Sequence, residues 1–280
     1  MKDAHVAVII RTFSRIGDTE ALIHLIQTRW TACRYTIFVA HNGESSGYPA
    51  TENIRQNSHY VPVENNEGHI YGARSFVRAG YKAARAMEGF THYLFIESDF
   101  WLLNDSLIEK TLNSMREEGH GIASTIWVER QQSLAVDFFI VEAGHMHAHP
   151  ELLDWDAHPE RYLGTIVAGD DLHIIRQLRS VHLPGMLRFL PLSVRLIEMS
   201  RFRIFKDALA LTHHWETLDR NAETGMAIKK GLANSLAPGS FPGVDPVPLP
   251  AGLFLPRWSR YIPQSYWFKG RKIYQSPPHL

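Results

Sequence analysis

Four short apolar runs recur through the first part of the chain: His5 to Ile10, Tyr35 to Ala40, Tyr60 to Val63 and Tyr93 to Ile96. Runs that are apolar at odd and even positions alike predict strands buried on both faces of a parallel sheet. The intervening segments change period. Leu22, Ile23, Leu25, Ile26 and Trp30 share one helical face, and Phe76, Val77, Gly80, Tyr81 and Ala84 share another. Alternation of this kind implies right-handed crossovers and an α/β sheet covered by helices on both sides. A further helix is expected from Asn104, a good N-cap, carrying Leu107, Ile108, Leu112 and Met115 inward until Gly119 and Gly121 break it. Ile122 to Val128 and Val136 to Val141 read as two more strands. The text "GTIVAGDDLHIIRQL" predicts an amphipathic helix that begins at Asp170 and Asp171 and buries Leu172, Ile174, Ile175 and Leu178. From about Asn234 the chain becomes rich in Pro and Gly, which predicts extended loop. The expected division is one domain over 1–233, in halves 1–103 and 104–233, with a C-terminal extension over 234–280 packed on it.

Composition narrows the partners. A chain of 280 residues that is 45% hydrophobic can bury a full core. Lys plus Arg equals Asp plus Glu at 29 each, so no overall field recruits nucleic acid or an anionic membrane, and any such partner must be read locally. Cys33 is the only cysteine, which excludes an internal disulfide framework and a thiolate zinc cluster and fits a reducing compartment. With neither a signal-peptide layout nor a stretch long enough to span a bilayer, a soluble, cytoplasmic protein is expected.

The chemistry begins at "HYLFIESDFWLL", where Glu97 and Asp99 end an apolar strand and apolar Phe100 to Leu103 follow. In an open α/β sheet, ligands collect beyond the carboxyl ends of the strands. Carboxylates in a dry setting need a partner. A hard divalent cation is one such partner, and it could bridge a diphosphate. Capping of the next helix, or pairing with arginine, is the other.

Four segments, "VAVIIRTFSR", "IFVAHNGES", "VENNEGHIYGARSF" and "YLFIESDFWLL", follow one another in the order and spacing of the large inverting family of GT-A glycosyltransferases, which the chain resembles over about its first hundred residues. The resemblance implies a Rossmann-like GT-A fold, mostly parallel and flanked by helices, whose first half binds a nucleotide sugar. It implies that Thr12, Phe13 and Arg15 line the base and ribose and that Asn42 touches the base. Asn66, Gly68 and Arg74 would lie against the donor, with Glu97 and Ser98 beside it. Asp99 looks like the metal-binding acid that closes the family's Asp-x-Asp motif, with Glu97 in place of its first Asp. Two departures stand out: Arg11 replaces the usual proline, and His41 occupies the place of an acid that reads uracil.

Later points of similarity are isolated. Asp170 and Asp171 resemble the acid pair from which such enzymes draw the general base, with Asp171 the first choice and Asp170 the reserve; acids there also complement a helix dipole. His213 and His214, after the apolar "DALALT", resemble a late histidine that returns to the metal, and imidazole beside carboxylates favours Mn2+ over Mg2+. His145, His147 and His149 would share one face if their strand continued, as a second metal site, as acceptor lining or as an ordinary strand end. The segment holding Arg188, Arg195, Arg201, Arg203 and Lys206 fits peripheral membrane contact or arginines snorkelling over a core. The basic and aromatic tail from Arg257 to Tyr274 fits a sugar, phosphate or single-strand surface, or a packed end.

The reading as a whole is a metal-dependent, hexosyltransferase-type enzyme acting on a nucleotide diphosphate sugar, UDP-sugar first, with inversion. Its acceptor is open among a glycan, a lipid-linked sugar, a natural product and modified DNA. Its rivals are a nucleotidyltransferase on a related sheet and a non-catalytic carbohydrate- or nucleic-acid-binding module.

Overall fold

A computed structural model of the chain describes residues 3–42, 47–64, 68–128, 133–156, 158–167, 169–175, 181–182, 202–213, 222–249, 255–256, 266–268 and 271–273. Strand β1 (His5–Thr12) lies in parallel between β2 (Arg34–His41) and β4 (His92–Glu97), and β3 (His59–Pro62) continues the parallel set beyond β2. On the other side of β4, β7 (Ser133–Glu142) runs antiparallel, followed by β6 (Ile122–Val128) and the edge strand β8 (Leu172–Ile174), which is parallel to β6. The order β3-β2-β1-β4-β7-β6-β8 makes one mostly parallel seven-stranded sheet, the α/β class expected of the sequence.

Successive side chains of a strand point to opposite faces, so strands apolar throughout need cover on both sides. Val6, Val8 and Ile10 of β1, with Leu94, Ile96, Phe138 and Ile140, pack under α1 (Ile16–Arg29), α4 (Ser106–Glu118) and α7 (Ala222–Leu236). Ala7 and Ile9, with Tyr93, Phe95, Phe139 and Val141, pack under α3 (Gly68–Arg85), α5 (Ala143–Ala148) and α6 (Pro159–Ile166). Helix α3 lies so close to β1 that a Cβ at Gly80 would sit 2.5 Å from Ile9 Cγ2. A short helix, α2 (Glu52–Asn57), adds Ile54 to the first of these layers.

A second, antiparallel sheet grows from the chain just past β4. Its order is β12 (Leu255–Pro256), β9 (Val181–His182), β10 (Phe202–Phe205), β11 (Ala210–His213) and β5 (Trp101–Leu102). A hairpin of β13 (Tyr266–Phe268) and β14 (Arg271–Ile273) is the described part of the basic and aromatic tail. Because Leu211 pairs with Trp101 and Ala210 with Leu102, β11 returns a late stretch of chain to the end of β4.

Several expectations change. Asp170 and Asp171 do not open a helix: they belong to a 3-10 turn, Gly169–Asp171, that leads into β8. Pairing with β6, Leu172 against Ile122 and Ile174 against Ser124, overrides the helical spacing of the apolar residues, as sheet edges do for β-branched side chains. The strand before His145 does not continue either. Glu142 caps a new helix, its carboxylate accepting from the His145 N–H at 2.7 Å, so only His145 and His149 share a face, with rings 4.5 Å apart. His147 turns to the Tyr93 hydroxyl, 3.2 Å away. Helix α4 starts at Ser106 with Asp105 at the cap, although Asn104 still accepts from the Ser106 N–H at 3.1 Å. Helix α7 runs past the composition change at Asn234, whose side-chain amide donates to Phe241 O at 2.8 Å and Val244 O at 2.7 Å and so ties the following loop to the core. Residues 183–201, which hold most of the arginine-rich segment, lie outside the described residues. No helix among the described residues is long and apolar enough to cross a membrane.

Candidate active site

Polar residues gather where β1, β4 and β7 end. Arg11 is in register with Glu97 and pairs with it, and one step beyond the Ile96–Phe138 pair brings Asp137 alongside. After Glu97 the chain turns tightly, with the Ser98 N–H donating to Arg11 O at 3.3 Å and the Phe100 N–H to Glu97 O at 3.0 Å. The turn tucks Asp99 under the first turn of α1, where it is only 2% exposed and pairs with Arg15. Arg15 donates at the same time to His213 O at 3.2 Å, because the β5–β11 pairing carries His213 to this place.

Helix α7 supplies a fully buried lysine from below. Lys229 pairs with Asp18, donates to Asp99 O at 2.7 Å, and lies 3.9 Å from the centre of the Trp101 ring. His213 Nε2 is 3.6 Å from the other oxygen of Asp18. Four cations, Arg11, Arg15, Lys229 and Arg203, therefore face four acids, Asp18, Glu97, Asp99 and Asp137. The carboxyl of Asp137 is pushed up to about 7 by burial and then by Glu97 and Asp99, against the pull of Arg203 and Arg11. Burial also pushes the Glu97 carboxyl up, against the pull of Arg11. Between Asp18 and Lys229, burial draws the acid up and the ammonium down, and each offsets the loss for the other. Arg11 is further held by Val136 O at 2.9 Å and lies 5.1 Å from the Trp155 ring.

The expected donor-lining residues frame this cluster. Thr12 is buried, and its hydroxyl has no hydrogen-bond partner among the described residues. Phe13 is exposed, 6.1 Å from the Tyr48 ring. Asn42 is buried just past β2, beside His41, whose Nε2–H donates to Phe13 O at 3.1 Å while Nδ1 faces the Tyr60 hydroxyl at 3.2 Å. Burial lowers the His41 pKa, so this imidazole is a neutral donor and acceptor. Gly68 opens α3, Arg74 sits in its second turn, and Ser98 is buried in the turn after β4. Asn66 and His214 lie outside the described residues.

Asp170 and Asp171 are elsewhere. Leu172 is level with Ile122, Val141 and Tyr93, the opposite end of the sheet from Glu97. Four residues along β4 and three strand spacings across separate them from the carboxylate cluster, roughly 20 Å. Sequence reasoning missed Asp18, Asp137 and Lys229. Only Lys229 left a trace: it interrupts the buried stripe Ile228, Leu232, Ala233 of α7.

Asp99 and Glu97 offer carboxylate oxygens of the kind a divalent cation takes, but as placed each is held by an arginine, Arg15 and Arg11, and His213 Nε2 faces Asp18, so these ligand atoms do not form a cation site among the described residues.

No protein-family model matches the chain, and no curated protein sequence matches it. Solved structures are similar in part. A mannosyltransferase from Pyrobaculum calidifontis, in complex with GDP-Man and Mn2+, aligns over 51% of this chain at 9% identity and a TM-score of 0.36; the aligned chain spans 46% of that protein. Mouse xyloside xylosyltransferase 1 in its apo form aligns over 69% of this chain and 92% of its own, at 8% identity and a TM-score of 0.39. An active-site mutant of LgtC aligns over 69% and 82%, at 13% identity and 0.43.

Proposed function

We propose that this protein is a glycosyltransferase that takes a sugar from a nucleoside diphosphate sugar. The observation that carries the reading is the convergence of Asp99, Arg15 and His213 at the end of β4, beside a buried Thr12 hydroxyl with no partner of its own among the described residues. A diphosphate there meets the arginines, and the nucleoside meets Thr12, Phe13 and Asn42. A divalent cation at Asp99 would need Arg15 and Arg11 to leave their carboxylates; Asp99 with Glu97 and His213 would then hold it, Mn2+ before Mg2+, and it would supply charge neutralisation for the departing diphosphate.

Without a cation, Arg15 and Arg11 offer fixed positive charge at the same place, oriented by Asp99 and Glu97 for the charge that builds on the leaving oxygen. The acceptor oxygen forms its bond to the anomeric carbon as the bond to the diphosphate oxygen breaks, with inversion. The acceptor proton passes to a carboxylate. Asp137 is suited to that role, since its raised pKa matches a base that works near neutrality. Asp171, the choice made from sequence, would have to act from the far end of the sheet.

Calorimetric titration of UDP, GDP and dTDP with and without Mn2+, repeated on Asp99→Ala, tests the donor site. One nucleotide is expected to bind in a Mn2+-dependent manner, UDP first, and the variant to lose it. No binding under any condition would return the protein to the class of non-catalytic binding modules. Release of nucleoside diphosphate from the bound sugar nucleotide in water then separates the bases: Asp137→Asn should slow it by about 100-fold or more, and Asp171→Asn should not.

A further inference from the structure

A second cluster of ligating side chains stands at the opposite end of the sheet. Glu118 is the last residue of α4. Gly119, at φ +73°, reverses the chain, and the His120 N–H closes the turn on Met115 O at 2.9 Å. This places Glu118 and His120 side by side on one turn. His173 comes from β8, paired with Ala123 of β6, so a residue far along the chain faces the end of α4.

The three side chains converge on one oxygen. Glu118 Oε2 lies 2.9 Å from His173 Nδ1 and 3.0 Å from His120 Nε2, and the three ligand atoms all lie within 4.8 Å of one another. The orientation of His120 is fixed from behind, since its Nδ1–H donates to Asp170 O at 2.8 Å. That bond leaves the Nε2 lone pair aimed at the carboxylate. Two electron-rich atoms at that separation need a positive charge between them, either a proton or a metal ion. A backbone carbonyl that sets the tautomer of a ligating imidazole is the usual outer support of a metal site. The carboxyl end of α4 adds the negative pole of its dipole.

We propose that Glu118, His120 and His173 form a binding site for a borderline divalent cation of the Zn2+ type, separate from the carboxylate cluster at Asp99. Two imidazoles and one carboxylate select Zn2+ over Mg2+ or Ca2+. Ligand atoms around a tetrahedral Zn2+ with bonds of about 2.0–2.1 Å stand roughly 3.3 Å apart, so the two carboxylate–imidazole pairs have to open by only a few tenths of an ångström. Glu118 is 49% exposed and the histidines 17–19%, so the fourth position faces water. The ion acts as a clip. It fastens the edge strand β8 and the Asp170–Asp171 turn to the end of α4, a link otherwise made by three pairs of β8 residues with β6 and a few side-chain contacts. The site is independent of the nucleotide reading.

The test uses Co2+ as a spectroscopic stand-in, titrated into the full chain without nucleotide and then displaced by Zn2+. One equivalent should develop the intense visible absorption of four-coordinate Co2+, and Zn2+ should bleach it while Mg2+ does not. Glu118→Gln and His173→Ala should each weaken Co2+ binding by ~10-fold or more. Asp99→Asn should leave the band intact. Zn2+ should also raise the Tm of the parent protein and not that of Glu118→Gln, whose half-exposed side chain can change without unfolding the chain. The proposal is overturned if the band survives Glu118→Gln, if Asp99→Asn removes it, or if Zn2+ and Mg2+ bind the parent equally.

Discussion

Asp137 lies buried beside two other acids, and its protonation is linked to folding. Its carboxyl is pushed from the ordinary range to about 7, so between about pH 4 and pH 7 the folded chain holds a proton that the unfolded chain has released. The sign follows: the contribution is fully present below pH 4, is lost as pH rises to 7, and is constant above. Three pH units amount to about 4 kcal/mol. Asp137→Asn should therefore be more stable than the parent by about 2–4 kcal/mol at pH 8 and by much less at pH 5, while losing nucleotide release. Urea unfolding at both pH values checks this, and equal differences at the two would show that Asp137 is not held protonated by its surroundings. Lys229 is the converse. Replacing it with Met leaves Asp18 buried without its hydrogen-bonded cation, at an expected cost of about 3–5 kcal/mol. Adding Asp18→Asn in the same chain should recover part of that loss, and a cycle with no coupling between the two would mean that the pair does not carry the charge balance.

Elements differ in how openly the sequence announced them. The strands β1, β2 and β4 and the helices α1 and α3 were legible because each buries a long, regular apolar stripe that shows in its own period. β8 and α5 were not, because an edge pairing with β6 and a cap on Glu142 decide them, and neither leaves a period. The candidate site divides in the same way. Glu97 and Asp99 were visible as acids that break an apolar strand, whereas Asp137 sits inside a strand and Lys229 inside a helix, where a lone charge reads as exposed until tertiary packing closes over it. His213 was legible only through resemblance; its pairing across β5 is what places it. One element contact gives a direct test. Gly80 lets α3 rest on β1, and Gly80→Ala must push the helix off Ile9 or bend its side chain. Overpacking of this kind costs about 1–3 kcal/mol, and a variant that melts with the parent would show that α3 rides higher on the sheet.

Across the whole molecule, the two ends of the central sheet should respond separately. The nucleotide reading places the donor beside Asp99, and a ligand that binds only the folded chain at about 100 times its Kd adds about 2.7 kcal/mol of stability. For a chain of this size that is a rise of roughly 5 °C in Tm, present only with the divalent cation. At the other end, Gly121 fits against His145 so closely that a Cβ would lie 2.2 Å from Nδ1. Gly121→Ala should lower the starting Tm by displacing that ring, yet keep the same nucleotide-induced rise, because sites this far apart without shared partners add. Asp99→Ala should do the opposite and abolish the rise. Thermal melts of the three proteins with and without nucleotide and Mn2+ decide the matter: if Gly121→Ala also removes the nucleotide response, the two ends are coupled through the sheet and the donor is not bound at Asp99 alone.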